Sequence, residues 1–171
     1  MKLHPVELQT LTPEVLKVFG AQPPLLTAGD KGGCNTMTIG WCQLGRLWSL
    51  PVCTVFVRPE RYTYQFMESH DYFTVSVLPP EAKDITAFCG TKSGRDVDKV
   101  RECGLTVRYG AGDAPFFDEA EWVLVCRKIY VQDMDPSSVL ETAGDTIRSY
   151  YGAKGGWHRI YVGQVMEAYQ K

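Results

Sequence analysis

The chain has few of the features that mark membrane, secreted or nucleic-acid-binding proteins. No apolar run approaches the roughly 18 residues needed to cross a bilayer, and the first residues lack the apolar segment of a secretory signal. The net charge is only −2, which gives no broad attraction to nucleic acid. These absences predict a cytoplasmic protein that binds neither membranes nor nucleic acid.

Cysteine is present but does not cluster as it does at zinc sites. The six cysteines contain no C-x-x-C pair. They are Cys34, Cys42, Cys53, Cys89, Cys103 and Cys126. In a reducing cytosol we expect free, mostly buried thiols, and nothing in the sequence lowers the pKa of Cys34, so we expect it to be unreactive. The acidic residues between 113 and 121 have no histidine at ligand spacing, so we predict no metal site.

Three motifs of catalysis and nucleotide binding are also missing. There is no G-x-S-x-G nucleophile elbow and no G-x-G-x-x-G dinucleotide fingerprint. The stretch Lys92-Ser93-Gly94 is not a Walker A loop, because its lysine and serine precede the glycine instead of following it. A nicotinamide nucleotide would therefore be bound shallowly or by a loop.

Length and composition indicate a single domain that spans residues 1–171. With 171 residues, of which 44% are hydrophobic, the chain can build a full core. Strand patterns outnumber helix patterns, and the helices are short. We therefore predict a mainly β fold with α-helical decorations, in the form of a closed or partly closed antiparallel barrel. A doubly wound parallel sheet fits less well, because strands and long helices do not alternate.

Hydrophobic periodicity and turn residues predict the individual elements. Strands are expected at 25–28, 35–43, 51–57, 72–78, 105–109, 120–132 and 157–169. Helices are expected from Thr12 to near Gly20, at 61–70, 81–89 and 96–103, and after a cap at Asp135. We also expect a hairpin turn at 30–33 and a bulge or close approach at Gly163.

An arginine-rich turn is the first candidate binding element. A strand ends at Arg58, Pro59 forces a turn, and a helix is expected to begin at Arg61. The first turn of a helix has free N–H groups, and these groups suit a phosphate when the Arg61 guanidinium and the Thr63 hydroxyl join them. The alternative is that both arginines only pair with surface carboxylates.

The strand 35–41 is the second candidate. Small polar residues alternate along it with Met37, Ile39 and Trp41. The N–H groups at the end of such a strand can hydrogen-bond a flat ring that rests on it. The alternative is an ordinary barrel strand whose large residues belong to the core.

A loop and a histidine complete the candidates. Loop 90–96 carries Lys92 and Arg95 among small residues, so it can add positive charge near a phosphate. The alternative is a solvated loop with no ligand. His158 lies near Tyr161 on the last strand, where it either faces a ligand or serves as a structural histidine.

Six segments within residues 20–169 carry a resemblance to a known family. They are Asn35-Thr-Met-Thr-Ile-Gly-Trp, Leu47-Trp-Ser-Leu-Pro, Val57-Arg-Pro-Glu-Arg-Tyr-Thr-Tyr, Phe73-Thr-Val-Ser, Ser93-Gly-Arg-Asp-x-Asp-Lys and His158-Arg-Ile-Tyr-Val-Gly. In this order and spacing they resemble the flavin reductase-like family, and within it the flavoredoxin-type branch. The resemblance implies an FMN-binding split β-barrel, antiparallel and of Greek-key type.

The resemblance also implies a homodimer with two FMN sites near the subunit interface. The cofactor-binding set it implies comprises Asn35, Met37, Thr38, Ile39 and Gly40 at the ring, Arg58, Arg61, Tyr62 and Thr63 at the phosphate, Lys92, Ser93, Gly94 and Arg95 in a second loop, and His158. In such proteins the last strand often reads His-x-x-Tyr-x-Gly-Glu. Here Gln164 replaces that glutamate, so we expect no catalytic role at this position.

We therefore expect an FMN-binding flavin oxidoreductase, most simply an NAD(P)H-dependent flavin reductase in which hydride passes from NADH or NADPH to FMN. The alternative is a non-enzymatic FMN-carrying electron-transfer flavoprotein, similar to flavoredoxin, that a redox partner protein reduces. A third possibility is a split-barrel relative that binds another cofactor, such as haem, or none.

Overall fold

The computed structural model describes residues 2–7, 22–152 and 156–171. The helix expected between Thr12 and Gly20 lies outside these residues. The described strands are β1 (His4–Pro5), β2 (Leu25–Asp30), β3 (Gly33–Thr38), β4 (Cys42–Leu47), β5 (Leu50–Val57), β6 (Tyr72–Val77), β7 (Val107–Tyr109), β8 (Pro115–Phe117), β9 (Trp122–Asp133) and β10 (Arg159–Gln170). The described α-helices are α1 (Tyr62–Ser69), α2 (Lys83–Thr91), α3 (Lys99–Glu102) and α4 (Gly144–Ser149). The expected mainly β fold with short helices is confirmed. No described helix has the length and apolar character needed to cross a membrane.

Most of these strands form one antiparallel sheet. Across the described residues the strand order is β3-β2-β6-β9-β10-β5-β4, and β1 pairs with the end of β10. β7 and β8 pair separately with each other. The sheet is not closed into a continuous ring, because β3 and β4 remain as its two edges.

The sheet has to curl because its two edge strands are neighbours in the chain. Thr38 ends β3 and Cys42 begins β4, and four Cα–Cα steps reach at most about 15 Å. In a flat sheet the same edges would lie about 29 Å apart, since six interstrand spacings of about 4.8 Å separate them. The result is a barrel that is split between β3 and β4. The predicted continuous strand at 35–43 is therefore wrong, and the chain leaves the sheet at 39–41 to cross the split.

The core consists of two apolar clusters on opposite faces of β9. Leu124 and Cys126 point into the cluster inside the barrel, whereas Val123 and Val125 point into a second cluster beneath α2 and β8. Successive residues of a strand face opposite sides, so a strand buried on both faces is apolar throughout. This explains the run Trp122-Val-Leu-Val-Cys at the start of β9.

Helix α1 packs against the barrel and fixes the position of the arginine-rich turn. Its Thr63 and Met67 are buried. Glu68 accepts a hydrogen bond from the buried Tyr161 hydroxyl at 2.5 Å, and it forms an ion pair with Arg159 at 2.8 Å. Arg159 also binds Asp133 of β9 at 2.6 Å. The helix is therefore tied to two strands at the end opposite to its N-terminus.

Several other boundaries differ from those predicted. Helix α3 starts later than 96 because the Asp98 carboxylate caps it by accepting the Arg101 N–H. β8 and α4 were not predicted, because short segments without clear alternation resemble turns. β4 was missed as a separate strand because it is an exposed edge that contains Gly45. The hairpin turn at 30–33 is confirmed between β2 and β3.

The expected bulge or close approach at Gly163 is confirmed, and it gives a testable prediction. The register between β10 and β9 shifts at this residue, and a Cβ there would lie 2.6 Å from the Phe73 ring. We expect Gly163→Ala to lower the free energy of unfolding by about 1–3 kcal/mol, the usual cost of overpacking. Urea unfolding measures this.

Gly45→Ala is the matched control, since a Cβ at Gly45 would meet nothing within 4 Å. Its free energy of unfolding should change by less than about 0.5 kcal/mol. Equal unfolding curves for both variants would contradict the packing described for β10.

Candidate functional site

Two adjoining cavities open beside the split in the barrel. The first, which we call the split cavity, has a volume of about 320 Å³ and is lined by Met37, Thr38, Ile39, Gly40, Trp41, Phe56, Arg58, Arg61 and His158. The second, which we call the turn cavity, has a volume of about 170 Å³ and is lined by Asn35, Met37, residues 60–63, residues 89–95 and Lys99. Met37 and Arg61 line both, so the two cavities form one continuous surface. All fourteen residues of the predicted cofactor-binding set lie on it.

The open edge of β3 supplies backbone hydrogen-bonding groups to the split cavity. The Ile39 N–H donates to the Pro24 carbonyl on the β2 side, at 3.0 Å. In an antiparallel ladder the N–H groups alternate in direction, so that of Thr38, the last residue of β3, points away from β2. The expectation that strand N–H groups face this site is thus compatible with Thr38 but not with Ile39.

The split between the strands persists because α2 packs against one of its edges. The Thr38 hydroxyl donates to the Thr86 carbonyl of α2 at 2.5 Å. Ile39 is buried in the barrel core, whereas Gly40 is exposed. The edge of β3 is therefore held rigidly while its outward polar groups stay accessible. This combination suits a flat polar ring better than an ordinary core strand would.

Arg61 and Thr63 leave donors free in the turn cavity. Arg61 is the N-cap of α1, and no side chain caps that helix. The Thr63 hydroxyl oxygen accepts a hydrogen bond from Asn35 Nδ2 at 2.7 Å. Because this hydroxyl already acts as an acceptor, its own hydrogen is free to be donated elsewhere. Within the described part of the chain the Arg61 guanidinium makes no ion pair, so its charge is available to an anion.

Arg58 behaves differently from Arg61. Its guanidinium donates to the Tyr150 carbonyl at 2.7 Å, lies 3.7 Å from the Glu60 carboxylate and sits 5.2 Å from the centre of the Tyr151 ring. The alternative of a surface ion pair is therefore partly realised for Arg58. Its charge still lines the split cavity, but its position is fixed by the segment around Tyr151.

Lys99 was not predicted as a site residue, although it lies under the turn cavity. It is 5% exposed, and its ammonium donates to the Thr36 carbonyl at 2.9 Å and to the Cys89 carbonyl at 2.7 Å. Burial lowers the pKa of Lys99. The two carbonyls accept from two of the three N–H groups of the ammonium, so the third N–H group remains as a donor. The only sequence signal was its place at the end of the segment Ser93-Gly-Arg-Asp-x-Asp-Lys.

Loop 92–95 packs directly onto β3 and α1. A Cβ at Gly94 would lie 1.9 Å from Asn35 Oδ1 and 2.8 Å from the Tyr62 ring, so only glycine fits there. The Arg95 guanidinium lies 5.1 Å from the centre of the Tyr62 ring and donates to the Glu60 carbonyl at 3.3 Å. Lys92 and Ser93 line the same cavity. The loop is thus a wall of the site, not a freely solvated turn.

An aromatic cluster lies beside the split cavity and reaches its lining through Trp41 and His158. The ring centres of Trp41 and His158 lie 4.4 Å apart, and Tyr151 stacks on Trp157 at 4.0 Å. The Tyr151 hydroxyl shares a hydrogen bond of 3.0 Å with His158 Nδ1. Sequence analysis missed Tyr151 and Trp157, whose only signal was a concentration of aromatic residues before β10.

His158 is uncharged at neutral pH. Burial, followed by the positive charge of Arg58, lowers the pKa of His158 to about 4 from its ordinary 6.5. His158 lines the split cavity, and its Nδ1 has a hydrogen bond of the kind that the structural alternative expects. The cysteines stay as expected: burial raises the pKa of the Cys34 thiol, and the described cysteines are free.

Solved structures of other proteins share this fold. Flavoredoxin from Methanosarcina acetivorans superposes with a TM-score of 0.69 at 24% identity, over 88% of this chain and 69% of that one. An FMN-binding protein from Thermus thermophilus superposes with a TM-score of 0.68 at 19% identity, over 88% of this chain and 71% of that one. An NADH:FAD oxidoreductase from Streptomyces globisporus superposes with a TM-score of 0.63 at 18% identity, over 88% of this chain and 75% of that one. At these identities the likeness shows the fold alone, and the expected split-barrel fold class is confirmed.

The fold defines a split-barrel protein with paired cavities beside the split. The chain belongs to the family described as flavin reductase like domain, whose family model matches residues 17–171. Family membership supports a flavin-related oxidoreductase. A curated relative, an uncharacterized protein from Aeropyrum pernix, is 31% identical over 100 residues; the match covers 57% of this chain but only 38% of that protein.

The lowered pKa of His158 predicts how stability depends on pH. A neutral imidazole in the folded state contributes stability that is fully present above pH 6.5 and is lost as the pH falls towards about 4, because only the unfolded chain takes up the proton in that interval. Urea unfolding at pH 7.5 and pH 4.5 should therefore show a larger loss of stability in the wild type than in His158→Asn. The same loss in both proteins would contradict the buried, uncharged histidine.

Proposed function

We propose that the chain binds FMN, with the flavin ring in the split cavity and its phosphate in the turn cavity. The observation that carries this proposal is the shared boundary of the two cavities at Met37 and Arg61. One cavity offers an open strand edge and aromatic walls, and the other offers cations and free donors. In FMN a ribityl chain joins the flat ring to the phosphate, so the ring cavity and the phosphate cavity must lie within the length of that chain.

The turn cavity suits a phosphate for several independent reasons. The Thr63 hydroxyl keeps its hydrogen, Arg61 keeps its charge, and the first turn of α1 is uncapped. Lys99 adds a buried ammonium beneath the cavity. Charge-assisted hydrogen bonds to a phosphate are stronger than neutral ones. This site therefore has the composition of an anion site even without a resemblance to guide it.

In the split cavity this chain would bind and orient the ring. The N–H group of Thr38 would hydrogen-bond its polar edge beside Gly40, and such a fixed donor stabilises negative charge. Trp41 and His158 would cover one side and exclude water. When bound, FMN supplies a ring that accepts hydride, so the redox chemistry belongs to the cofactor and the positioning belongs to the protein.

We propose NADH or NADPH as the electron donor. The neutral imidazole of His158 supports this proposal, because a flat uncharged surface beside the flavin site can pack against a nicotinamide ring. Because the sequence has no dinucleotide fingerprint, we expect such a donor to bind shallowly or by a loop. The second candidate function is an electron-transfer flavoprotein that a redox partner reduces. It is favoured by the similarity of the fold to that of a flavoredoxin.

The expected homodimer also remains a proposal. Large apolar side chains are exposed on the outside of the barrel, where Trp48 is 63% exposed and its ring centre lies 6.1 Å from that of Tyr130. Val131, beside Tyr130 on β9, is 43% exposed. A second copy of the chain would bury these residues. A cytoplasmic location stays a prediction.

Removing the charge of Arg61 tests the phosphate position. We expect Arg61→Ala to weaken FMN binding by about 1.5–3 kcal/mol, the value typical of a hydrogen bond to a charged group. Quenching of flavin fluorescence during titration measures the affinity. Arg101→Ala is the matched control, because Arg101 is exposed on α3 and lines neither cavity. If both variants bind FMN like the wild type, the phosphate does not lie in the turn cavity.

Anaerobic reduction separates the two candidate functions. If the protein is a flavin reductase, the FMN-loaded protein should lose its absorbance near the flavin maximum when NADH or NADPH is added, and should then turn over free FMN. A protein that binds FMN tightly but is bleached only by a chemical reductant would be an electron carrier. If the protein binds no flavin at all, both candidate functions are wrong.

A further inference from the structure

Two cysteine thiols meet at the start of β4, directly beside the split cavity. The Sγ atoms of Cys42 and Cys53 lie 3.4 Å apart, close enough for a hydrogen bond in which either sulfur can donate. Cys42 is the first residue of β4 and follows Trp41, which lines the split cavity. Cys53 lies in the middle of β5. Neither thiol has a part in the flavin site proposed above.

The pairing of β4 with β5 places the two thiols on the same face of the sheet. Cys42 lies opposite Val55, and Leu44 lies opposite Cys53, so the cysteines are diagonal neighbours whose side chains share a face. Both belong to the apolar cluster inside the barrel or pack against it. The sulfurs of a disulfide are about 2.05 Å apart, so bond formation would bring these two closer by little more than about 1 Å.

The two thiols differ in their access to solvent. Cys42 is half-buried, whereas Cys53 is 0% exposed. A small oxidant therefore reaches Cys42 first, and the buried Cys53 is in place to react with the product. Cys126 of β9, a third cysteine of the same cluster, is also 0% exposed, so it does not offer a second point of attack.

We propose that Cys42 and Cys53 are an oxidisable thiol pair, which a peroxide converts to a disulfide that displaces Trp41 in the wall of the split cavity. The peroxide first oxidises the Cys42 thiol to a sulfenic acid, and one water is released. The Cys53 sulfur then attacks the Cys42 sulfur, the S–S bond forms, and a second water leaves. In total the two thiols give up two electrons and two protons, which the peroxide accepts.

The chemistry of Cys42 predicts that this oxidation is slow. The hydrogen bond with Cys53, followed by burial, raises the pKa of the Cys42 thiol. The thiolate is the form that attacks a peroxide, so only a small fraction of the protein reacts at any moment. We therefore expect the pair to stay reduced under brief exposure and to form the disulfide under a sustained excess of peroxide.

The place of the pair in the fold connects it to the split cavity. Among the described strands β4 pairs only with β5, so no second neighbour opposes a movement of β4. At the other end of the link, Ile39 is buried and its N–H is bonded to the Pro24 carbonyl. A displacement of Cys42 towards β5 is therefore taken up by Gly40 and Trp41, which are exposed and line the cavity.

Peptide mapping after oxidation tests the bond itself. When wild-type protein is treated with an excess of hydrogen peroxide and then with an alkylating agent, we expect a linked pair of peptides that contains Cys42 and Cys53 and that dithiothreitol separates. Cys42→Ser should give no linked pair. Cys34→Ser is the matched control, because Cys34 is also a half-buried cysteine of an edge strand, and it should form the link like the wild type.

The wild-type map is decisive even if a variant does not fold. A link between Cys53 and Cys126 would overturn the proposal, and so would oxidation of Cys42 to a sulfinic acid without any link. Alkylation of all six cysteines after the peroxide treatment would overturn it as well. Circular dichroism checks that each variant is folded.

Fluorescence tests the effect on the cavity. After the peroxide has been removed and before flavin is added, the oxidised protein should have a changed tryptophan emission spectrum that dithiothreitol restores. Trp41→Phe should abolish this change, whereas Trp48→Phe, at an exposed tryptophan outside the cavity, should keep it. In the wild type, oxidation should weaken FMN binding about three- to tenfold. The same treatment should leave the FMN affinity of Cys42→Ser unchanged.

The outcomes separate the thiol pair from the proposed function, on which only the FMN titration rests. If neither the reduced nor the oxidised protein binds FMN, the proposed function is wrong, whereas the linked peptides together with the emission change of Trp41 would still support the thiol pair. If the link forms but changes neither the emission spectrum nor the FMN affinity, the disulfide does not displace Trp41 and the inference is wrong.

Discussion

A three-residue connection determines the shape of this protein. Residues 39–41 join the two edge strands of the sheet, and so short a link cannot be made unless the sheet bends until those edges nearly meet. The two edges nevertheless do not pair with each other. The strand edge left without a partner ends at Thr38, and the exposed Gly40 follows it. In most sheets an exposed edge invites aggregation; here it becomes the wall of a binding cavity.

The polar part of the site depends on groups that satisfy one another before any ligand arrives. Asn35 donates to Thr63, and the Lys99 ammonium is held by two backbone carbonyls. A buried ammonium is costly unless it is hydrogen-bonded, and these carbonyls offset that cost. The contacts of Asn35 and of the Thr36 carbonyl join α1 and α3 to β3, so both helices are fixed relative to one strand. The cations are thereby positioned in advance, which reduces the entropy lost on binding an anion.

The sequence was most informative where structure depends on local chemistry. The β2–β3 hairpin follows from Gly32 and Gly33, and the arginine-rich turn follows from Pro59. The break at 39–41 could not be predicted, because it results from closure of the whole sheet and not from the residues themselves. Lys99 and Tyr151 were missed for the same reason: their neighbours come from distant segments, and no spacing pattern records such contacts. The family resemblance supplied the grouping of the candidate residues, and the structure supplied their geometry.

The contact between Gly94 and Asn35 has a consequence for communication along the site. The loop backbone rests directly on a side chain whose amide holds Thr63, so no loose layer separates loop 92–95 from the first turn of α1. A molecule that immobilises Asn35 from one side must also restrict the loop on the other. Binding of an anion at Thr63 would then lower the conformational entropy that the loop has left to lose. Two walls of the turn cavity would in this way be ordered together through a single glycine, with no movement of the barrel.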